Sequence, residues 1–174
     1  SGMAYIAMFG NTNQPVEVMV RSSHLFMPMP DIIREDMAFL DRIHYYIPGW
    51  EIPKMQVKFF TDHYGFVVDY LAEAMRDLRR HNYTEMIDRY FALGGHLNAR
   101  DVKAVRKTVS GLVKLVYPDG EVTTDELSEL LEIALEGRRR VKEQLKKMGS
   151  FEYHMTSFSY VNNETREERF VGVP

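Results

Sequence analysis

Two runs of apolar residues at helical spacing, on either side of Pro118-Asp119-Gly120, limit the possible folds more than any other feature of this chain. The first puts Val102, Val105, Val109, Leu112, Val113 and Val116 on one face, behind Asn98, whose side chain suits a helix N-cap. The second opens at Thr123 or Thr124 and carries Leu127, Leu130, Leu131, Ala134, Leu135, Val141 and Leu145. A helix with one apolar stripe must bury that stripe against another element. Two further helices are expected ahead of this pair. One follows Thr61-Asp62, with Phe66, Val67, Tyr70, Leu71, Ala74, Met75 and Leu78 at helical spacing. A shorter one follows Thr84, with Met86, Ile87, Tyr90 and Phe91, and stops at Gly94-Gly95. Four such helices over residues 54–148 make a compact bundle.

The flanks have a different period. Residues 4–9 are a continuous apolar run, Val16-Glu17-Val18-Met19-Val20 alternates, and Ile43-His44-Tyr45-Tyr46-Ile47 is β-rich and ends at Pro48-Gly49. Residues 1–53 are therefore expected to be part of an α/β core. Phe26-Met27-Pro28-Met29-Pro30 cannot be regular helix, because each proline pushes its predecessor out of the helical region. The first strand is apolar enough to be flanked on both faces, which points to a boundary inside a larger protein; Ser1-Gly2 reads as a tag remnant. Residues 149–174 alternate again through Phe151, Tyr153, Met155, Phe158 and Tyr160, turn at Asn162-Asn163-Glu164-Thr165, and return over Arg169–Val173. A lone hairpin is marginal in water, so this tail is expected to begin a further, mostly absent domain. The fold class expected is mixed α and β.

Composition narrows the function. With 174 residues, 45% of them hydrophobic, the chain can bury a core, and its net charge of −3 gives no global pull toward nucleic acid or anionic membrane. The absence of cysteine excludes disulfides and thiolate metal sites and fits a reducing, cytoplasmic setting. No apolar stretch approaches a membrane span, and none of the six histidines makes an H-x-x-x-H pair, so neither membrane nor metal is expected.

Three polar residues stand where local structure would aim them at a ligand. Asn11 follows the first expected strand and Gly10, and ligands bind beyond the carboxyl ends of strands in open α/β sheets; the plainer reading is a turn made by Asn11 and Asn13. Arg42 sits just before the expected strand at Ile43, where its planar fork could meet phosphate oxygens or simply pair with Asp41 or Glu35. Arg100 lies in the first turn of the helix capped by Asn98. A cation there opposes the helix dipole unless an anion is near, whether Asp101 or a nucleotide phosphate. Arg138-Arg139-Arg140, with Lys142, Lys146 and Lys147, reads as a solvated basic face interleaved with Glu132, Glu136 and Glu143. A DNA contact is its alternative use.

In order, these features resemble the back half of an AAA+ ATPase module. Gly10-Asn11 after an apolar run, then Leu40-Asp41-Arg42 with an apolar segment and Pro48-Gly49, then Ala99-Arg100-Asp101-Val102 in a helical bundle, are similar to the Lon and MCM kinds. Three runs look like the Lon-related BrxL family of BREX phage-defence systems: Tyr46-Ile47-Pro48-Gly49-Trp50-Glu51-Ile52-Pro53-Lys54-Met55, Phe60-Thr61-Asp62-His63-Tyr64-Gly65-Phe66 and Ala104-Val105-Arg106-Lys107-Thr108-Val109-Ser110-Gly111-Leu112. The resemblance spans roughly residues 4–170.

The resemblance implies that Asn11 is the sensor-1 residue orienting the attacking water, with Asn13 as rival. It implies that Arg42 is an arginine finger reaching a neighbouring subunit's nucleotide, and that Arg100 is sensor 2 on the lid. ATP with Mg²⁺ would be the cofactor of the full-length protein, a ring of copies its assembly, and protein or DNA its substrate. An arginine supplied in trans is worth about 10³–10⁵ in rate. The pattern departs from the family in two respects: no G-x-x-x-x-G-K-[ST] occurs and no acidic Walker B pair lies on the first expected strand, and the loop from Asn13 to Met37 is long for this position in Lon. No bound nucleotide and no hydrolysis are therefore expected of these residues alone. Ser150, Ser157 and Ser159 lack the context of a serine–lysine dyad, and no peptidase activity is expected. The alternative is a non-catalytic helical module that binds DNA or oligomerises.

Overall fold

A computed structural model describes residues 5–149 and 151–172. Ser1-Gly2, Ala4 at the start of the apolar run, Ser150 and Val173 lie outside the described residues. The fold is mixed α and β, with six helices and a three-stranded antiparallel sheet among the described residues.

The two long apolar stripes become the two long helices. Helix α5 (Ala99–Val116) starts on a capping box in which the Asn98 side chain accepts from the Asp101 N–H and the Asp101 carboxylate accepts from the Asn98 N–H. Helix α6 (Thr124–Lys147) starts on a second box, Thr123 with Glu126. Gly120 turns the chain between them at φ +80, a left-handed conformation in which a side chain is strained. Val105, Val109 and Val113 of α5 pack with Leu127, Leu131 and Leu135 of α6, closing one apolar core.

The rest of that core comes from the sheet. Strand β1 (Phe91–Leu93) pairs with β2 (Ser159–Asn162), which pairs with β3 (Glu168–Phe170). Tyr160 meets Phe91 edge-on at 5.2 Å between ring centres, and both are buried with Phe158 among the helices' apolar residues. Gly94 donates its N–H to the Ser159 carbonyl at 2.9 Å, and a Cβ there would sit 2.1 Å from the Ser159 hydroxyl, so only glycine fits. The tail's hairpin therefore does not stand alone: β1, from within the helical region, supplies its third strand. The residues expected as a short helix over 86–91 divide instead into a 3₁₀ turn (Met86–Arg89) and β1.

The expected strands of the amino-terminal region do not form among the described residues. Residues 5–9 are irregular and exposed, Phe9 to 96%. A strand exists through its ladder, and no described residue offers 5–9 a partner. Val16–Val20 is helical, within α1 (Val16–Ser22): Pro15 precedes it, and Met19 is buried while Val18 and Val20 are exposed. Residues 43–47 carry no ladder either, and Tyr46 donates its N–H to the Gly137 carbonyl of α6 at 3.1 Å. Helices α2 (Asp31–Arg34) and α3 (Met37–Leu40) complete this region. It is held by a second core in which Phe26 and Leu40 meet Val141, Leu145 and Tyr153.

Helix α4 (Val68–Leu78) begins later than Thr61-Asp62 would suggest and buries none of its residues, so the four-helix bundle reduces to a helix pair capped by the sheet. Ile52, Met55, Val57, Phe60 and Phe66, just ahead of α4, are exposed as well. No helix among the described residues is long and apolar enough to cross a membrane.

Candidate functional site

Where the 41–46 segment meets the start of α5 and the second half of α6, five charged side chains converge, four of them buried. Asp36 caps α3, and the helix delivers buried Leu40 and then Asp41, which is 1% exposed. Asp41 Oδ1 accepts from Arg138 Nη2 at 2.8 Å and from Lys142 Nζ at 2.7 Å. Its Oδ2 accepts from Arg100 Nη1 at 2.6 Å. Asp101, fully buried, accepts from Arg138 Nε at 2.8 Å through Oδ1 while its Oδ2 closes the α5 capping box. Lys142 Nζ also lies 3.3 Å from Asp101 and 4.6 Å over the Tyr153 ring.

Arg138 does more than pair with carboxylates. Its Nη2 donates to the Asp41 carbonyl at 2.9 Å and its Nη1 donates to the Ile43 carbonyl. One planar guanidinium thus holds the backbone on both sides of Arg42. Burial works against ionisation of Asp41, yet the hydrogen bonds from Lys142 and Arg100 prevail and hold its carboxyl below the ordinary 3.8. By formal charge the cluster sets three basic side chains, Arg100, Arg138 and Lys142, against the two carboxylates. His44 beside it is held below its usual value, first by burial and then by Lys107, Arg138 and Lys103. Lys103 and Lys107 are exposed and make no ion pair among the described residues.

The three residues singled out in the sequence fare differently. Arg100 pairs with Asp41, not with Asp101, and its side chain keeps 46% of its surface exposed. Arg42 is exposed; its guanidinium donates to the Ala38 carbonyl and makes no ion pair among the described residues, Asp41 being committed elsewhere. Asp41 thus brings Arg100 to the segment that carries Arg42. Asn11 and its rival Asn13 are exposed in the irregular amino-terminal stretch, and no hydrogen bond joins Asn11 to either arginine among the described residues.

The basic run of α6 is not the solvated face it was expected to be. Arg138 and Lys142 are 0% exposed, Arg139 is buried against Glu136, and Arg140 pairs with Glu136 and Glu51. Arg138, Arg139 and Arg140 thus each make ion pairs within the chain. The interior positions of Arg138 and Lys142 were detectable in the sequence. Arg138 lies seven residues after Leu131 and seven before Leu145, with Lys142 one turn on, so both fall on the apolar stripe. Ser159 is buried and donates to the Glu168 carboxylate at 2.6 Å. Among the described residues, no group of three potential metal ligands occurs.

Comparison with known proteins shows the family. Residues 1–159 match the family described as Lon-like protease BrxL-like, ATPase domain. A Lon-like protease BrxL of Bacillus cereus (strain H3081.97) is 56% identical over 171 residues, covering 98% of this chain and 25% of the relative. A Lon-like protease BrxL of Escherichia coli O9:H4 (strain HS) is 54% identical over 173 residues, covering 99% and 25%. The chain spans about a quarter of the length of these curated relatives.

Proposed function

The chain belongs to the family of BrxL-like ATPase domains, and from that premise we propose that it is the sensor and lid portion of a Lon-like ATPase. In this reading the whole protein couples ATP hydrolysis to the remodelling of a macromolecule, protein or DNA. The observation that carries the proposal is the contrast between two neighbouring arginines. Arg100 is anchored through one N–H to a buried carboxylate and faces solvent with the rest. Arg42 has no acidic partner within the described chain and is exposed.

A phosphate suits this place. Arg100 stands in the first turn of an 18-residue helix whose dipole favours an anion, and 46% of its side chain is open to solvent. Arg100 then serves as the lid's contact with phosphate, and Arg42 serves the nucleotide of a neighbouring copy. Asn11, or Asn13, orients the attacking water. ATP with Mg²⁺ supplies the phosphoryl group. The glycine-rich cradle for its phosphates is not among these 174 residues, so binding and turnover are assigned to the longer protein. A cytoplasmic ring acting in BREX phage defence goes with the same reading.

The test is Arg42→Ala in the full-length protein. Hydrolysis is expected to fall at least about 10³-fold while nucleotide binding is kept. Turnover at the wild-type rate would refute the finger assignment.

A further inference from the structure

Helix α6 holds the segment around Arg42 by two adjacent residues that the proposed function leaves unassigned. Arg138 donates to the carbonyls of Asp41 and Ile43, the residues before and after Arg42, and to the Asp41 carboxylate. Gly137 accepts from the Tyr46 N–H at 3.1 Å, and the Tyr45 ring lies so close that a Cβ on Gly137 would come within 2.0 Å of it. The same Arg138 donates to Asp101, which closes the cap of α5 one residue beyond Arg100. Every N–H group of a guanidinium lies in one plane, so these bonds fix the relative placement of the three segments in a way a lysine's point charge would not.

We infer that Arg138 and Gly137 are positioning residues for Arg42. They make the start of α5, the second half of α6 and the 41–46 segment one rigid body. This rests on reading Arg42 as the arginine that serves a neighbouring subunit's nucleotide and Arg100 as the contact with the subunit's own. Its consequence is regulatory: a shift of the helices when nucleotide engages Arg100 is carried directly to Arg42, and so to the next site. The coupling needs no flexible linker, because Asp41 touches Arg100 on one side and Arg138 on the other.

The experiment uses the full-length protein with three variants, each first shown to be folded by its melting transition. Arg138→Lys keeps the buried charge and loses the planar grip on the two carbonyls. Gly137→Ala leaves every charge in place and pushes the Tyr45 ring away. Leu131→Ala opens a cavity in the other half of α6 and controls for lost stability alone. Arg138→Lys and Gly137→Ala are each expected to lower kcat about 10²-fold, with KM and nucleotide affinity unchanged, because a displacement of about 1 Å is enough for such a loss. Leu131→Ala is expected to melt earlier and turn over normally at a temperature where it is folded. Should Arg138→Lys fail to fold, Gly137→Ala decides. Wild-type kcat in a folded Arg138→Lys or Gly137→Ala variant, or a loss confined to KM, overturns the inference wherever Arg42→Ala is inactive. If Arg42→Ala itself turns over normally, the finger reading fails instead.

Discussion

The two halves of α6 differ in what they bury: both pack apolar side chains, and the second adds an ionic cluster. Its first half packs Leu127, Leu131 and Leu135 into an apolar core with α5 and the sheet. Its second half carries Arg138 and Lys142 on the same stripe and meets two buried carboxylates. Apolar packing rewards burial in many arrangements and sets stability. A buried ionic cluster costs desolvation and repays it only when every donor finds its acceptor, so it selects one geometry. The half that fixes geometry is the half beside Arg42.

That contrast can be broken by mutation, starting with the charged half. Asp101→Ala leaves three cations around a single carboxylate and also opens the α5 capping box. It is expected to cost about 3–5 kcal/mol in denaturant unfolding. Adding Lys142→Met, which removes one of the stranded cations, should recover part of that loss; a strictly additive pair would mean that the two residues do not interact. In the apolar half, Leu131→Ala is expected to cost about 2–5 kcal/mol, and Lys142→Met should not rescue it.

The smallest expected effect is a dependence on acid. The folded-state pKa of Asp41 lies below 3.8 because Lys142 and Arg100 outweigh its burial. The unfolded chain therefore binds the proton first as pH falls. The stability Asp41 contributes is whole above about pH 4 and drains away as pH descends through the lower folded value. Melting temperature should fall over that window, and Arg100→Gln should make the fall shallower. An unchanged acid profile in that variant would mean that Arg100 contributes nothing to holding the carboxyl low.

How much of this was legible in the sequence follows from how local each feature is. Asn98 with Asp101 and Thr123 with Glu126 are neighbours along the chain, so the starts of α5 and α6 could be read directly. Residues 5–9 and 43–47 look like strands by residue type, but a strand is made by its partner, and the partner is not local. β1 is three residues long, too short for any period to identify it, and its neighbour β2 comes some seventy residues later. Arg138 posed a conflict between signals. Its charge argued for the surface and its position on the stripe for the interior, and two carboxylates distant in sequence settled the matter for the interior. For the same reason the link from Arg42 to Arg100 was hidden: it runs through Asp41, whose partners come from two separate stretches of chain, α5 and α6.

The pairing of β1 with β2 decides where the helical unit can be cut. A gene trimmed just after α6, at about residue 149, would contain both long helices, yet its product would lack Phe158 and Tyr160 and present a bare strand edge at Phe91–Leu93. Any soluble version of this unit has to be taken through the hairpin, and a tag or fusion partner belongs after residue 172, outside the sheet.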